Sequence, residues 1–220
     1  MKRLALLVPL VLVVVGLSAC GGDDPVATVN GEEVMTQDEL QGLLEDVSDA
    51  DDLLTSVNGR GAGSGTLRSG YVSSVVIGNV VLSELLRGEL EEQGVEVSDE
   101  DVENGTQILT DNLGNPQDGS NPLTVDQLPD SYKDDLLDLY ARYTALLVAF
   151  GGDPTDAAAP ETQAALQDLS DRLVELRRDA DVEIDPRWGR WVVGEGGGTV
   201  EPPEGPAASA TTAPAVVPAG

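Results

Sequence analysis

The sequence predicts a mainly α domain of about five helices with a small β element. The apolar content is mostly Leu, Val and Ala and aromatics are only 3% of the chain, which suits helices packed on helices. Five separate stretches repeat apolar residues at three- and four-residue steps, the period of an amphipathic helix. Segments that alternate as strands do lie near the two ends of this region, at 26–29 and 181–184, and Asn30-Gly31, the strongest short-range hairpin signal, follows the first.

Taken in order, Lys2 and Arg3 give a positive start, and Leu4 to Val15 form an apolar run broken by Pro9. That run has the length of a signal-peptide core and is short for a bilayer span. Leu17-Ser18-Ala19-Cys20, followed by Gly21-Gly22, contains the only cysteine of the chain. The pattern resembles the bacterial lipobox of aliphatic, small, small, Cys. The resemblance implies a diacylglycerol on Cys20, cleavage before it, a signal peptide over 1–19 and a lipidated tether over 20–25. Two acyl chains anchor stably where one is marginal, so the implied location is the extracytoplasmic face of a cell membrane. The competing readings are a secreted protein with a free thiol and a signal anchor that stays uncut.

Val26 to Val29 reads as a strand and Glu33 to Met35 as its return. Thr36 with Glu39 three positions later forms a capping box, opening a helix with Leu40, Leu43, Leu44 and Val47 on one face. Residues 48–66, acidic and then glycine-rich, read as a loop. From 67 to 93, Val72, Val75, Val76, Val80, Leu82, Leu85, Leu86 and Leu90 cover too wide an arc for a surface helix, so this helix is expected at the centre, with Gly94 as its C-cap. Ser98 and Asp101 start a shorter helix through Val102, Ile108, Leu109 and Leu113. A loop over 114–130 follows. Ser131 and Asp134 mark the next start, with Leu136, Tyr140, Tyr143, Leu147 and Phe150 as a stripe ended by Gly151-Gly152. After Pro160 the last helix carries Leu166, Leu169, Leu173 and Leu176. Asp181 to Ile184 alternates as a strand, and Trp188 and Trp191 are expected to pack it onto the helices. From Gly194 to Gly220 the composition predicts a disordered tail, with an O-glycosylated stalk as the alternative.

Composition narrows function. Without Lys2 and Arg3, ten basic residues face forty acidic ones, and Lys133 is the single lysine left. Such a surface is repelled by phosphate backbones and anionic head groups, so nucleic acid is excluded as a partner. Histidine is absent and, on the lipobox resemblance, the thiol of Cys20 is consumed by lipid, which would remove the commonest general base, metal ligand and nucleophile. Asp49-Ala50-Asp51-Asp52 fails as a calcium loop because Leu53 and Leu54 stand where an acid and a glycine are required. No catalytic, cofactor-binding or metal-binding residue is assigned; the one site residue is Cys20.

Val26-Ala27-Thr28-Val29-Asn30-Gly31-Glu32-Glu33-Val34 followed by Thr36-Gln37-Asp38-Glu39-Leu40 resembles the opening of the SurA N-terminal domain. This is a helical chaperone module shared by SurA-type and PrsA-type foldases of the bacterial envelope. The long helix over 67–93, the segment from Gly94 to Val102 and the return Ala180 to Gly189 extend the likeness over residues 26–191. The resemblance implies one domain over 26–193 in which the C-terminal strand comes back to pair with the first. The full foldases insert a parvulin-type prolyl isomerase that carries histidines. Here the corresponding link is short and histidine is absent, so the resemblance implies the chaperone module without the enzyme. The expected function is that of a membrane-tethered, non-catalytic chaperone for exported, unfolded polypeptides. The alternative is an envelope scaffold that binds one specific protein, since a fold does not fix a function. An acid-dependent hydrolase rests only on the surplus of carboxylates. Tyr140, Tyr143, Leu147 and Phe150 read as core or as the lining of a client groove, and no client-binding residue is assigned.

Overall fold

The computed structural model describes residues 24–49, 67–115 and 122–203. Asn30 and Gly31 take left-handed φ values of 54° and 81°, conformations that Asn and Gly adopt at least cost. The chain thereby reverses within two residues between β1 (Pro25–Val29) and β2 (Glu32–Thr36). Asn30 also ties this hairpin to the far end of the domain. Its amide donates to the Asp181 carbonyl at 2.7 Å, and its Oδ1 accepts from the Asp181 amide at 3.1 Å. There β3 (Val182–Ile184) lies antiparallel along β1, with Ala27 opposite Ile184 and Val29 opposite Val182, so the sheet order is β2-β1-β3. The first strand pairs with a C-terminal one, as expected.

Thr36 then opens α1 (Gln37–Asp49). Its Oγ1 accepts from the Glu39 amide at 3.3 Å while the Glu39 carboxylate accepts from the Thr36 amide at 2.8 Å, which satisfies otherwise unpaired donors at both positions. The helix α2 (Leu67–Gln93) is the longest and carries Val72, Val76, Ile77, Val81, Leu85, Leu86 and Leu90 into the core. It touches α1, both strands of the hairpin and two later helices, and so occupies the centre. Gly94, with φ +66°, ends it. The third helix, α3 (Asp99–Gly114), starts with a reciprocal capping box in which the Ser98 hydroxyl and amide both donate to the Asp101 carboxylate, at 2.6 and 2.8 Å. The fourth and fifth helices are α4 (Asp130–Ala149) and α5 (Pro160–Asp179), with Pro160 in the first turn, where its missing amide costs nothing.

Glu89 of α2 is a buried acid, only 4% exposed, and Arg172 of α5 meets it with two parallel bonds, from Nε to Oε1 at 3.0 Å and from a terminal nitrogen to Oε2 at 2.6 Å. Gln93 adds a third donor at 2.6 Å. These bonds to Arg172 outweigh the cost of burial and hold the Glu89 carboxyl below its ordinary range.

Four expectations are corrected. Ser131 does not cap α4, which begins one residue earlier behind Pro129 with no side-chain cap; the Ser131 hydroxyl instead donates to Asp46 at 2.7 Å, joining α4 to α1. Val102 does not pack: it is 45% exposed, because the row Asp101, Gly105, Leu109 is the one buried. The stretch before α4 is not featureless, since Thr124 and Gln127 cap a short 3-10 turn at Val125–Gln127. Finally, the fold does not stop at Val193 and no tail begins at Gly194. A hairpin of β4 (Arg190–Gly194) and β5 (Gly197–Glu201) follows, joined by Glu195-Gly196. Composition missed β5 because its glycines are useful for what they lack. A Cβ on Gly198 would fall 2.0 Å from the Trp191 ring, and one on Gly197, at φ +85°, 2.9 Å from the Val174 carbonyl of α5. The strand needs little apolar side chain of its own, because the Trp191 indole covers it. Trp188 and Trp191 are both half-buried against the core.

Candidate functional site

The site begins at a close approach of two backbones. A Cβ on Gly105 of α3 would lie 2.7 Å from the Ala141 nitrogen and 2.9 Å from the Tyr140 carbonyl oxygen of α4. Beyond this crossing, Ile108, Leu109, Asn112 and Leu113 of α3 face a groove of about 590 Å³. Opposite them stand Tyr132, Leu136, Tyr140, Tyr143 and Leu147 of α4, and the floor is Val75, Leu82 and Leu86 of α2. Leu123, Leu128, Pro154, Ala157 and Leu166 complete the lining. This volume lies within the range of ligand-binding clefts, and an apolar wall with a few fixed polar groups is their usual chemistry.

The polar groups are phenols and amides. Asn79 donates to the Tyr132 hydroxyl at 3.2 Å and Asn112 to the Tyr140 hydroxyl at 3.3 Å, so two of the three rings are pinned. The Tyr143 hydroxyl has no hydrogen-bond partner among the described residues, and burial first, then Tyr140, pushes its pKa up. It is a donor and acceptor presented to whatever enters.

The loop after α4 is shaped by its own side chains. Gly151 takes φ +89°. The Asp153 amide donates to the buried Thr162 hydroxyl at 3.0 Å, while the Asp153 carboxylate accepts from the Thr155 hydroxyl at 2.6 Å and amide at 2.8 Å, which lowers its pKa. Asp156 accepts from the Ala159 amide at 3.1 Å. Pro154 and Ala157 are thereby held at the rim of the groove.

Of the stripe read from the sequence, Leu136, Tyr140, Tyr143 and Leu147 line this groove, whereas Phe150 lies beyond the end of α4 and packs on the core. The reading missed the contributions of α3, α2 and the 151–159 loop. Only Gly105 hinted at them, since a glycine inside a helix marks a close neighbour. Cys20 lies outside the described residues.

A second, polar hollow of about 280 Å³ is lined by Glu33, Glu84, Asp135, Asp138 and Arg142. Arg142 is engaged by Asp138 at 2.7 Å and by the Ser83 carbonyl at 2.9 Å. Partial burial, then the charges of Asp138, Asp134 and Glu39, raise the pKa of Asp135. Burial is the larger cause and crowding of like charge the rest, and no hydrogen-bond donor contributes to the shift. Among the described residues, no three His, Cys, Asp or Glu side chains converge as a metal site, and no helix is long and apolar enough to cross a membrane.

Compared with protein-family models, with curated proteins and with solved structures, the chain gives no match. The groove therefore has to be read from its own chemistry. It offers van der Waals surface, two fixed phenols and one hydroxyl without a partner among the described residues.

Proposed function

We propose that this protein is a non-catalytic chaperone-like lipoprotein, tethered through Cys20 to the outer face of a cell membrane, that holds apolar segments of exported, unfolded polypeptides in the groove between α2, α3, α4 and α5. The observation that carries the reading is the groove itself, about 590 Å³ with no charged side chain in its lining among the described residues. Burial of apolar surface supplies a non-directional attraction of about 25 cal/mol per Å², which tolerates many client sequences. The strong acidity of the surrounding surface, net −28 for the chain, keeps a loaded complex soluble. The absence of histidine supports a role without general-base chemistry.

The test is a light-scattering assay in which the purified mature protein is added in excess to several unrelated denatured proteins. Aggregation is expected to slow for most of them, and Tyr143→Ala is expected to weaken the effect at least about threefold, the loss of roughly 0.7 kcal/mol of contact. Prolyl isomerisation of a model peptide, which takes tens to hundreds of seconds unaided, is expected to be unaltered. No delay for any client, with stoichiometric capture of a single envelope protein, would move the reading to a scaffold.

A further inference from the structure

We infer that the groove selects polypeptide segments whose apolar residues are flanked by lysine or arginine, a reading that rests on the polypeptide-holding function above. The inference comes from where the charges of one sign are missing. Between Arg87 and Lys133, and again between Arg142 and Arg172, the sequence contains no basic residue. Those two gaps supply all of α3, the 3-10 turn, the loop over 151–159 and the first half of α5, which together form the outer wall of the groove. Every charge on that wall is therefore negative.

The exposed acids Asp111, Asp126, Asp156 and Glu161 stand within one or a few positions of the lining residues Asn112, Leu128, Ala157 and Thr162. The described cations lie elsewhere or are already engaged. Arg87 and Arg172 are held by glutamates at the far end of α2, Lys133 by Asp130 and Arg142 by Asp138. The result is an apolar floor with an outer wall of one sign, while the two cations on the α4 side, Lys133 beside Tyr132 and Arg142 beside Tyr143, are each paired with an aspartate. A peptide with apolar residues at its centre and cations at its flanks matches both parts at once, and the wrong flanks meet like-charge repulsion, which is how charge confers selectivity. The lining adds to the preference. Tyrosine rings such as those of Tyr140 and Tyr143 attract cations to their faces, and the Tyr143 hydroxyl, without a partner among the described residues, can accept from an ammonium, a guanidinium or a main-chain N–H. A fatty acid or an anionic phospholipid would bring its head group against the acidic rim.

The experiment measures fluorescence anisotropy of three labelled peptides on the mature protein. All share one apolar core of leucine and phenylalanine and differ in having lysine, serine or glutamate flanks. A neutral fluorescent acyl probe forms the fourth arm. At low salt the lysine-flanked peptide is expected to bind about tenfold tighter than the glutamate-flanked one, and the gap is expected to shrink in 0.5 M salt, where screening acts within roughly 4 Å. The exposed-rim variant Asp111→Asn, Asp126→Asn, Glu161→Gln is expected to narrow the gap at least about threefold at low salt, as a surface electrostatic preference requires, without weakening the serine-flanked peptide. Equal binding of all three peptides, or tighter binding of the glutamate-flanked one, overturns the charge selection and leaves polypeptide holding intact. Failure of every peptide to bind while the acyl probe does overturns both and makes the groove a lipid site.

Discussion

Glu89 is an acid placed where an acid is costly, and its two bonds to Arg172 are what make the position tolerable. Removing the partner leaves a buried carboxylate served only by Gln93. Arg172→Met is therefore expected to destabilise the protein by about 2–4 kcal/mol at pH 7, slightly below the range for a fully buried pair because the arginine is itself 31% exposed. The sign of the pH dependence follows from the lowered pKa of Glu89. A depressed carboxyl contributes its stabilisation fully above its unfolded value of about 4.3 and loses it as the pH falls through the lower folded value. Urea unfolding of the wild type and Arg172→Met at pH 7 and again near pH 3 tests this. The difference between them is expected to be large at the first pH and to narrow at the second, and a difference that stays constant means the pair is not ionic.

At the scale of the elements, the helices were legible because their period, caps and breakers agree. Thr36 with Glu39 and Ser98 with Asp101 form the boxes expected of them, Gly94 and Gly151 end helices with positive φ, and α2 covers the span its apolar arc required. What stayed illegible depends on close approach, which leaves no period in a sequence. The hairpin of β4 and β5 is built on Gly197 and Gly198 beneath Val174 and Trp191, and the groove opens from Gly105 against Ala141. In both places the information is a missing side chain. Half of the candidate site was readable, as the stripe Tyr140, Tyr143, Leu147; the facing half on α3 was not, because Val102 at its start breaks the pattern by facing solvent. Gly105 also gives a sharp prediction. Alanine improves helix propensity by about 1 kcal/mol, but its Cβ meets rigid backbone of α4, so overpacking of roughly 2–3 kcal/mol outweighs the gain. Gly105→Ala is expected to lower stability by about 1–2 kcal/mol in chemical denaturation; a stabilised variant would mean the helices separate freely.

For the whole molecule, the implied anchor at Cys20 and the ordered domain from Asp24 onward are only a few residues apart, so a lipidated chain would work within a short distance of its bilayer. Cys20→Ala is expected to shift the protein from the membrane fraction to the soluble one or to leave it unprocessed; a variant still processed and membrane-bound would place the anchor elsewhere. The pairing of β1 with β3 has a consequence in time. Asn30 and Asp181, which bond each other, are 151 positions apart. A ribosome adding about 5–20 residues per second needs roughly 8–30 s to cover that interval. Throughout it the outer edge of β1 stands open, a row of free amides and carbonyls of the kind on which other strands stack. Each newly made copy must pass through such an interval, with one edge of its first strand unpartnered until almost the last of the domain has been synthesised.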